Sequence, residues 1–136
     1  MIKDMLFGKT IAPLSGKCLD AYAMRHKAIA NNLANIEVKG YDRREVKFEN
    51  ELKECLRREN TALNLTHEKH IPVGCKLEKV QPRFAIDKAN PKLNAINNVD
   101  VDLEAADMGK NQIDFDTIAT VLRIEYQRLR MAIRGQ

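Results

Sequence analysis

A seven-residue apolar repeat near the C-terminus constrains this chain more than any other feature. From residue 101 to residue 133 it advances in alternating steps of four and three, through Val101, Ala105, Met108, Gln112, Phe115, Ala119, Leu122, Tyr126, Leu129 and Ile133. Nine of these ten side chains are apolar or aromatic, and such a repeat forms one seam along a helix that packs against another helix. At about 1.5 Å per residue, a helix over residues 100 to 134 is about 50 Å long. The sequence therefore predicts an elongated, mainly α-helical molecule.

A second repeat of the same kind lies near the N-terminus, at Leu19, Tyr22, His26, Ile29, Leu33 and Ile36. It predicts a helix over residues 15 to 36 that ends before Gly40. We expect the two terminal helices to pair as an antiparallel coiled coil. The predicted seam within the subunit consists of Leu19, Tyr22, Ile29, Leu33, Phe115, Leu122, Tyr126 and Leu129.

The C-terminal helix carries a second apolar strip away from this seam, at Val121, Ile124 and Met131. One partner helix does not cover both strips of a helix. An isolated subunit would leave the second strip exposed, and exposed apolar patches mark interaction surfaces. We therefore predict that these three residues contact neighbouring subunits.

The middle segment, residues 37 to 99, has a weaker pattern. Phe48, Leu52, Cys55 and Leu56 predict a short amphipathic helix over Lys47 to Arg58. After it come three of the four prolines, and the alternation of Val73, Cys75 and Leu77 and of Phe84 and Ile86 predicts a short, irregular β-hairpin. Residues 1 to 136 are interpreted as one subunit with a loop-rich middle.

Composition argues against several classes of function. Lys and Arg number 23 against 19 Asp and Glu, and the two signs are interspersed, which does not favour binding to nucleic acid. No run is long and apolar enough to span a membrane, and Asp4, Lys9 and Pro13 interrupt any cleaved secretory signal. Ser15 is the only serine, and no phosphate-binding glycine loop is present. We predict neither an enzyme nor a bound cofactor.

A zinc site is the one metal hypothesis that the sequence offers. His67, His70 and Cys75 are potential ligands, but their spacing matches no common zinc motif and no fourth ligand is evident. The three cysteines are an odd number at irregular spacing and define no disulfide framework. We predict no metal site.

Residues 30 to 41, with the sequence ANNLANIEVKGY, resemble the signature shared by bacterial flagellar rod and hook proteins, in which an Asn-rich helix end leads into a turn with Gly and an aromatic residue. Val38 and Lys39 depart from it. The motif positions Asn32, Asn35, Gly40 and Tyr41 are expected to fix the turn after the first helix. Flanking features are similar to those of the proximal rod members, namely Arg25-His26-Lys27, Arg43-Arg44, Phe48-Glu49, Thr66 with His70, and Asn98-Val99-Asp100.

The resemblance implies a structural subunit of the proximal rod of the flagellar basal body, part of the drive-shaft that transmits torque toward the hook. It further implies type III export without a cleaved signal peptide, and helical assembly in the periplasm. The implied partners are copies of itself, other rod proteins, the membrane ring and components of the export gate. The leading alternative is a cytoplasmic coiled-coil adaptor, followed by a nucleic-acid-binding helical protein and a metalloenzyme.

Overall fold

The computed structural model describes residues 11–60, 77, 80–87 and 97–135. In chain order the elements are helix α1 (Ala12–Ala34), strand β1 (Arg44–Lys47), helix α2 (Glu49–Asn60), strand β2 (Arg83–Ile86) and helix α3 (Val101–Arg134). The predicted mainly α-helical fold with two long terminal helices is confirmed.

The two terminal helices run antiparallel. The Asn32 side chain near the end of α1 bonds to Glu104 in the first turn of α3. Further back along α1, the Tyr22 carbonyl accepts a hydrogen bond from Asn111, farther along α3. The two helices therefore run in opposite directions, as we expect from the sequence.

Local sequence explains where the long helices begin and end. Helix α1 begins at Ala12, earlier than the predicted residue 15, because Pro13 fits the first turn, where no backbone N–H is needed. The Asp100 carboxylate caps α3 by accepting from the backbone N–H groups of Asp102 and Leu103, at 2.9 and 3.4 Å. Gly135, with φ of +70°, ends α3 in the left-handed conformation.

A small two-stranded antiparallel sheet packs beside α1. β1 and β2 pair in the register Arg44 with Ile86 through Lys47 with Arg83. The strand predicted around Phe84 and Ile86 is therefore present, but its partner is β1, which precedes helix α2. Most of the other predicted hairpin strand, residues 73 to 76, lies outside the described residues.

The apolar core lies between α1, the sheet and α2, and it consists of Ala21, Ala28, Val46, Phe48, Cys55 and Val80. Two alanines on α1 let the helix approach the sheet closely. Helix α2 begins at Glu49, after the buried Phe48, and carries acidic residues in its first turn as the helix dipole favours. The buried residues of helix α3 are Glu104 and Asn111, so α3 packs against α1 through polar rather than apolar buried side chains.

Candidate functional site

A buried polar cluster joins the end of α1, the sheet and the start of α3. We call it the polar junction, and it consists of Asn32, Tyr41, Arg43, Asp87, Asn97, Asn98, Glu104 and Asp107. These residues come from four separate parts of the chain. Their side chains therefore meet only when the terminal helices and the sheet are all in place.

Arg43 is the central cation of the polar junction. Its Nε lies 2.5 Å from an Oε atom of Glu104, and its two terminal nitrogens lie 2.8 Å from Asp107 and 3.3 Å from Asp87. The Glu104 side chain has no solvent exposure. Burial disfavours the charged form of Arg43, but the hydrogen bonds and charges of Glu104, Asp107 and Asp87 together outweigh this effect and raise the pKa of Arg43. Arg43 is thus held as a cation among three carboxylates.

The Asn32 amide ties α1 to β1. Its Nδ2 donates to the Arg44 carbonyl and its Oδ1 accepts from the Arg44 N–H, both at 2.9 Å. An amide bonding to both main-chain groups of one residue acts as a neighbouring strand would. The Nδ2 also donates to both Glu104 oxygens at 3.2 Å, so one side chain joins α1, β1 and α3.

Two further amides tie the start of α3 to the turn and the sheet. Asn98 accepts from the Arg43 N–H at 2.7 Å and donates to the Asp87 carbonyl at 3.1 Å, which extends the sheet by one amide. Asn97 donates to the Ile36 carbonyl and accepts from the Val99 N–H at 3.1 Å. These hydrogen bonds therefore hold in place the two residues that precede α3 in sequence.

The motif turn after α1 contains the remaining residues singled out by the sequence. Asn35 ends the helix, with its side chain donating to the Asn31 carbonyl at 2.7 Å. Gly40 has φ of +79°, which L side chains rarely adopt. Tyr41 donates its hydroxyl to the Asn32 Oδ1 at 3.0 Å, and burial raises the pKa of Tyr41.

The predicted seam residues have a range of exposures. Ile29 is buried, and the five partly buried members are Leu19, Tyr22, Phe115, Leu122 and Leu129. Leu33 and Tyr126 are 42% and 53% exposed. Six of the eight residues are therefore buried or partly buried, and the other two are exposed.

Polar residues are buried at positions next to exposed members of the two apolar repeats. Asn32, next to Leu33, is fully buried, as is Glu104, next to the exposed Ala105. One seven-residue repeat later, Asn111 is 3% exposed and donates to the Tyr22 carbonyl at 3.1 Å. A search for apolar residues at helical spacing overlooks these positions. The signal that identifies them is a polar residue recurring after seven positions, at 104 and 111.

The C-terminal part of α3 presents apolar side chains to solvent. At about 1.5 Å per residue, the antiparallel pairing brings the start of α1 level with α3 near Val121, so α3 extends about 20 Å beyond it. Val121, Ile124 and Met131 are 38%, 43% and 48% exposed. The predicted intersubunit strip is thus on the surface of the single chain.

The described part of the chain gives little support for a charged binding cleft, a metal site or a membrane span. A cleft of about 600 Å³ between α1, α3 and β1 is lined by as many acidic as basic side chains, which gives it no dominant charge. Among the described residues no group of three or more His, Cys, Asp or Glu side chains is arranged to hold a metal ion, and no helix has the length and apolar character needed to cross a membrane. The candidate zinc ligands His67, His70 and Cys75 lie outside the described residues.

Comparison with characterised proteins gives one consistent result. No family model matches the chain. The flagellar basal body rod protein FlgB of Bacillus subtilis is 28% identical over 132 residues, which cover 96% of this chain and 97% of the relative. FlgB of Salmonella typhimurium is 29% identical over 124 residues (88% and 89%), and FlgB of Borreliella burgdorferi is 27% identical over 125 residues (88% and 93%). These similarities, from diverse bacteria and over most of both chains, confirm the resemblance to flagellar rod proteins: the chain is similar to the flagellar basal body rod protein FlgB along most of its length.

Proposed function

We propose that this chain is a structural subunit of the proximal rod of the bacterial flagellar basal body. The observation that carries the proposal is similarity to proteins named FlgB along nearly the whole chain, from α1 through α3. The chain is not an enzyme. It works by holding its shape and by presenting surfaces to its neighbours.

The polar junction supports a role in transmitting torque. A rod that transmits torque requires subunits whose helices do not slide past one another. In this chain Asn32 near the end of α1 contacts Glu104 at the start of α3, and Arg43, just before β1, contacts the same carboxylate. Buried, hydrogen-bonded polar groups specify one arrangement, because any shift leaves them without partners.

The apolar strip on α3 supports assembly with neighbours. A subunit that repeats by head-to-tail contacts builds an open helical polymer. Val121, Ile124 and Met131 are exposed in the single chain, and burying them against other subunits is favourable by about 25 cal/mol per Å² of apolar surface. We propose that the partners are further copies of this chain and other rod proteins, together with the membrane ring and the export gate, and that the subunit is exported to the periplasm without a cleaved signal peptide.

Complementation of a deletion strain tests this function. The unaltered gene should restore motility and rods, whereas Ile124→Asp should not, because it places a charge in the proposed interface. Gln127→Asp is the matched control on an exposed position of the same helix. Normal rods with Ile124→Asp would contradict the role of the strip, and a deletion strain with normal rods would contradict the function itself. No observation favours the adaptor alternative.

A further inference from the structure

One of the three cysteines of the chain is part of a disulfide. Cys55 on α2 is disulfide-bonded, whereas Cys18 on α1 is free. The structure consists of one chain, and its sequence contains three cysteines, so Cys75 is the cysteine that is left to pair with Cys55. Cys75 lies outside the described residues, and its assignment as the partner follows from this elimination. The irregular spacing of the cysteines does not predict the bond, because an odd number leaves the pairing open.

Cys55 holds its end of the bond inside the apolar core. Its side chain is 3% exposed and belongs to the same cluster as Ala28 on α1, Val46 on β1 and Phe48 just before α2. A disulfide at Cys55 therefore constrains α2 at the place where it packs against α1 and the sheet. The two cysteines are 20 positions apart in sequence, and a cross-link over such a distance lowers the conformational entropy of the unfolded chain.

The thiol of Cys18 is a poor competitor for either of the other two cysteines. Cys18 is partly buried and packs against the same core. Burial, and then the nearby negative charge of Glu49, raise the pKa of Cys18. The thiolate is the nucleophile in disulfide exchange, so a raised pKa keeps this thiol unreactive near neutral pH. One pairing is therefore favoured over the alternatives.

We propose that Cys55 and Cys75 are the site of an oxidative modification that follows export: both thiols are reduced in the cytoplasm and are joined as a disulfide in the periplasm. The cytosol keeps thiols reduced, whereas the bacterial periplasm is oxidising. This inference rests on the proposed function, because export supplies the change of compartment. It adds a covalent bond that distinguishes subunits outside the cytoplasm from those still inside it.

The oxidant is the disulfide of a periplasmic thiol–disulfide oxidoreductase. The thiolate of one cysteine attacks a sulfur atom of that disulfide and forms a mixed disulfide, and the thiolate of the other cysteine then displaces the oxidant. The subunit loses two electrons and two protons as its S–S bond forms. The oxidant takes up two electrons and two protons and leaves as a dithiol.

Thiol trapping tests the inference in cells. Free thiols are blocked with N-ethylmaleimide under denaturing conditions, and tryptic peptides of the subunit from hook and basal-body complexes and from the cytoplasm are compared by mass spectrometry without reduction. In the complexes we expect peptide 54–57 linked to peptide 70–76, with Cys18 blocked, and in the cytoplasm we expect all three cysteines blocked. Three blocked cysteines in the complexes, or the linked peptides in the cytoplasm, would overturn this inference alone. Absence of the chain from the complexes would instead contradict the proposed function.

The purified subunit gives a second test that does not depend on rods. The reduced chain is oxidised with oxidised glutathione, and the thermal midpoints of the reduced and oxidised forms are compared by circular dichroism. We expect oxidation to raise the midpoint of the unaltered chain and of the matched control Cys18→Ser by about 5 °C or more, and to give Cys75→Ser no such gain. Equal midpoints of the two forms of the unaltered chain, an equal gain in Cys75→Ser, or a covalent dimer as the main product would overturn the inference.

Discussion

Replacing Arg43 with Met tests the polar junction most sharply. The substitution removes the cation that contacts Glu104 at 2.5 Å, Asp107 at 2.8 Å and Asp87 at 3.3 Å. The Asp107 side chain is 40% exposed, so its loss of a partner costs little because water replaces it. The Glu104 side chain is 0% exposed, and its carboxylate is left without the cation. Breaking a buried ion pair in this way costs about 3 to 5 kcal/mol.

The assay is urea unfolding of the free subunit, followed by circular dichroism at pH 7. We expect Arg43→Met to lower the free energy of unfolding by about 4 kcal/mol, a large part of the 5 to 15 kcal/mol typical of a domain. Arg44→Met, at the exposed neighbouring position, is the matched control and should cost less than about 0.5 kcal/mol. Adding Glu104→Gln to Arg43→Met should recover part of the loss, because it removes one uncompensated buried charge.

The pH dependence of the stability lost in Arg43→Met tests the cause of that loss independently. A buried carboxylate without a cation takes up a proton and becomes neutral, so the deficit of Arg43→Met should shrink as the pH falls. A deficit below about 1 kcal/mol, or one equal to that of Arg44→Met, would refute the reasoning. So would a deficit that does not depend on pH.

Three further substitutions test other contacts by the same unfolding assay. Tyr41→Phe removes the hydroxyl that donates to Asn32 and should cost about 1 kcal/mol at pH 7. Because the pKa of Tyr41 is raised in the folded chain, this contribution is complete below about pH 10 and is lost as the pH rises through the folded pKa; a contribution that grows as the pH rises above about 10 would contradict this. Gly40→Val should cost about 2 kcal/mol through its positive φ alone, since a Cβ there meets nothing within 4 Å. Gly109→Val, within a helix, should be nearly neutral, and equal effects would refute the backbone argument. Asn111→Leu should change the free energy of unfolding by less than about 1 kcal/mol, because it removes the hydrogen bond from Nδ2 to the Tyr22 carbonyl and also a buried Oδ1 that has no partner among the described residues; a larger loss would count against this.

The long helices could be predicted from sequence because their signals are local and repeated. The apolar repeat predicts a helix over residues 100 to 134, and the structure places it at Val101–Arg134. The short middle helix was predicted over Lys47 to Arg58 and lies at Glu49–Asn60. The shift follows from β1, which extends through Lys47 and is held by pairing with a strand 36 positions later, Lys47 with Arg83. Because the paired residues are so far apart in sequence, no local periodic pattern predicts this strand pairing.

The polar junction could be predicted only in part. The motif singles out Asn32, Asn35, Gly40 and Tyr41. In the structure Asn35 donates to the Asn31 carbonyl, Tyr41 donates to Asn32, and Gly40 has a positive φ. The role of Arg43 was not predicted, because its acidic partners lie 44 to 64 positions away in sequence. Glu104 is a charged residue next to Ala105 of the apolar repeat, and the repeat gives no reason to expect its burial.

The central claim is that this chain is a rod subunit, and quantitative mass spectrometry of purified hook and basal-body complexes tests it most directly. The source should be a bacterium that carries the chain, with preparations from its deletion strain as the control. The account predicts the chain at a fixed ratio of a few copies per complex relative to other rod subunits. Its absence from complexes that contain the other rod subunits, together with a discrete dimer or tetramer in the cytoplasm, would contradict the account and favour the adaptor.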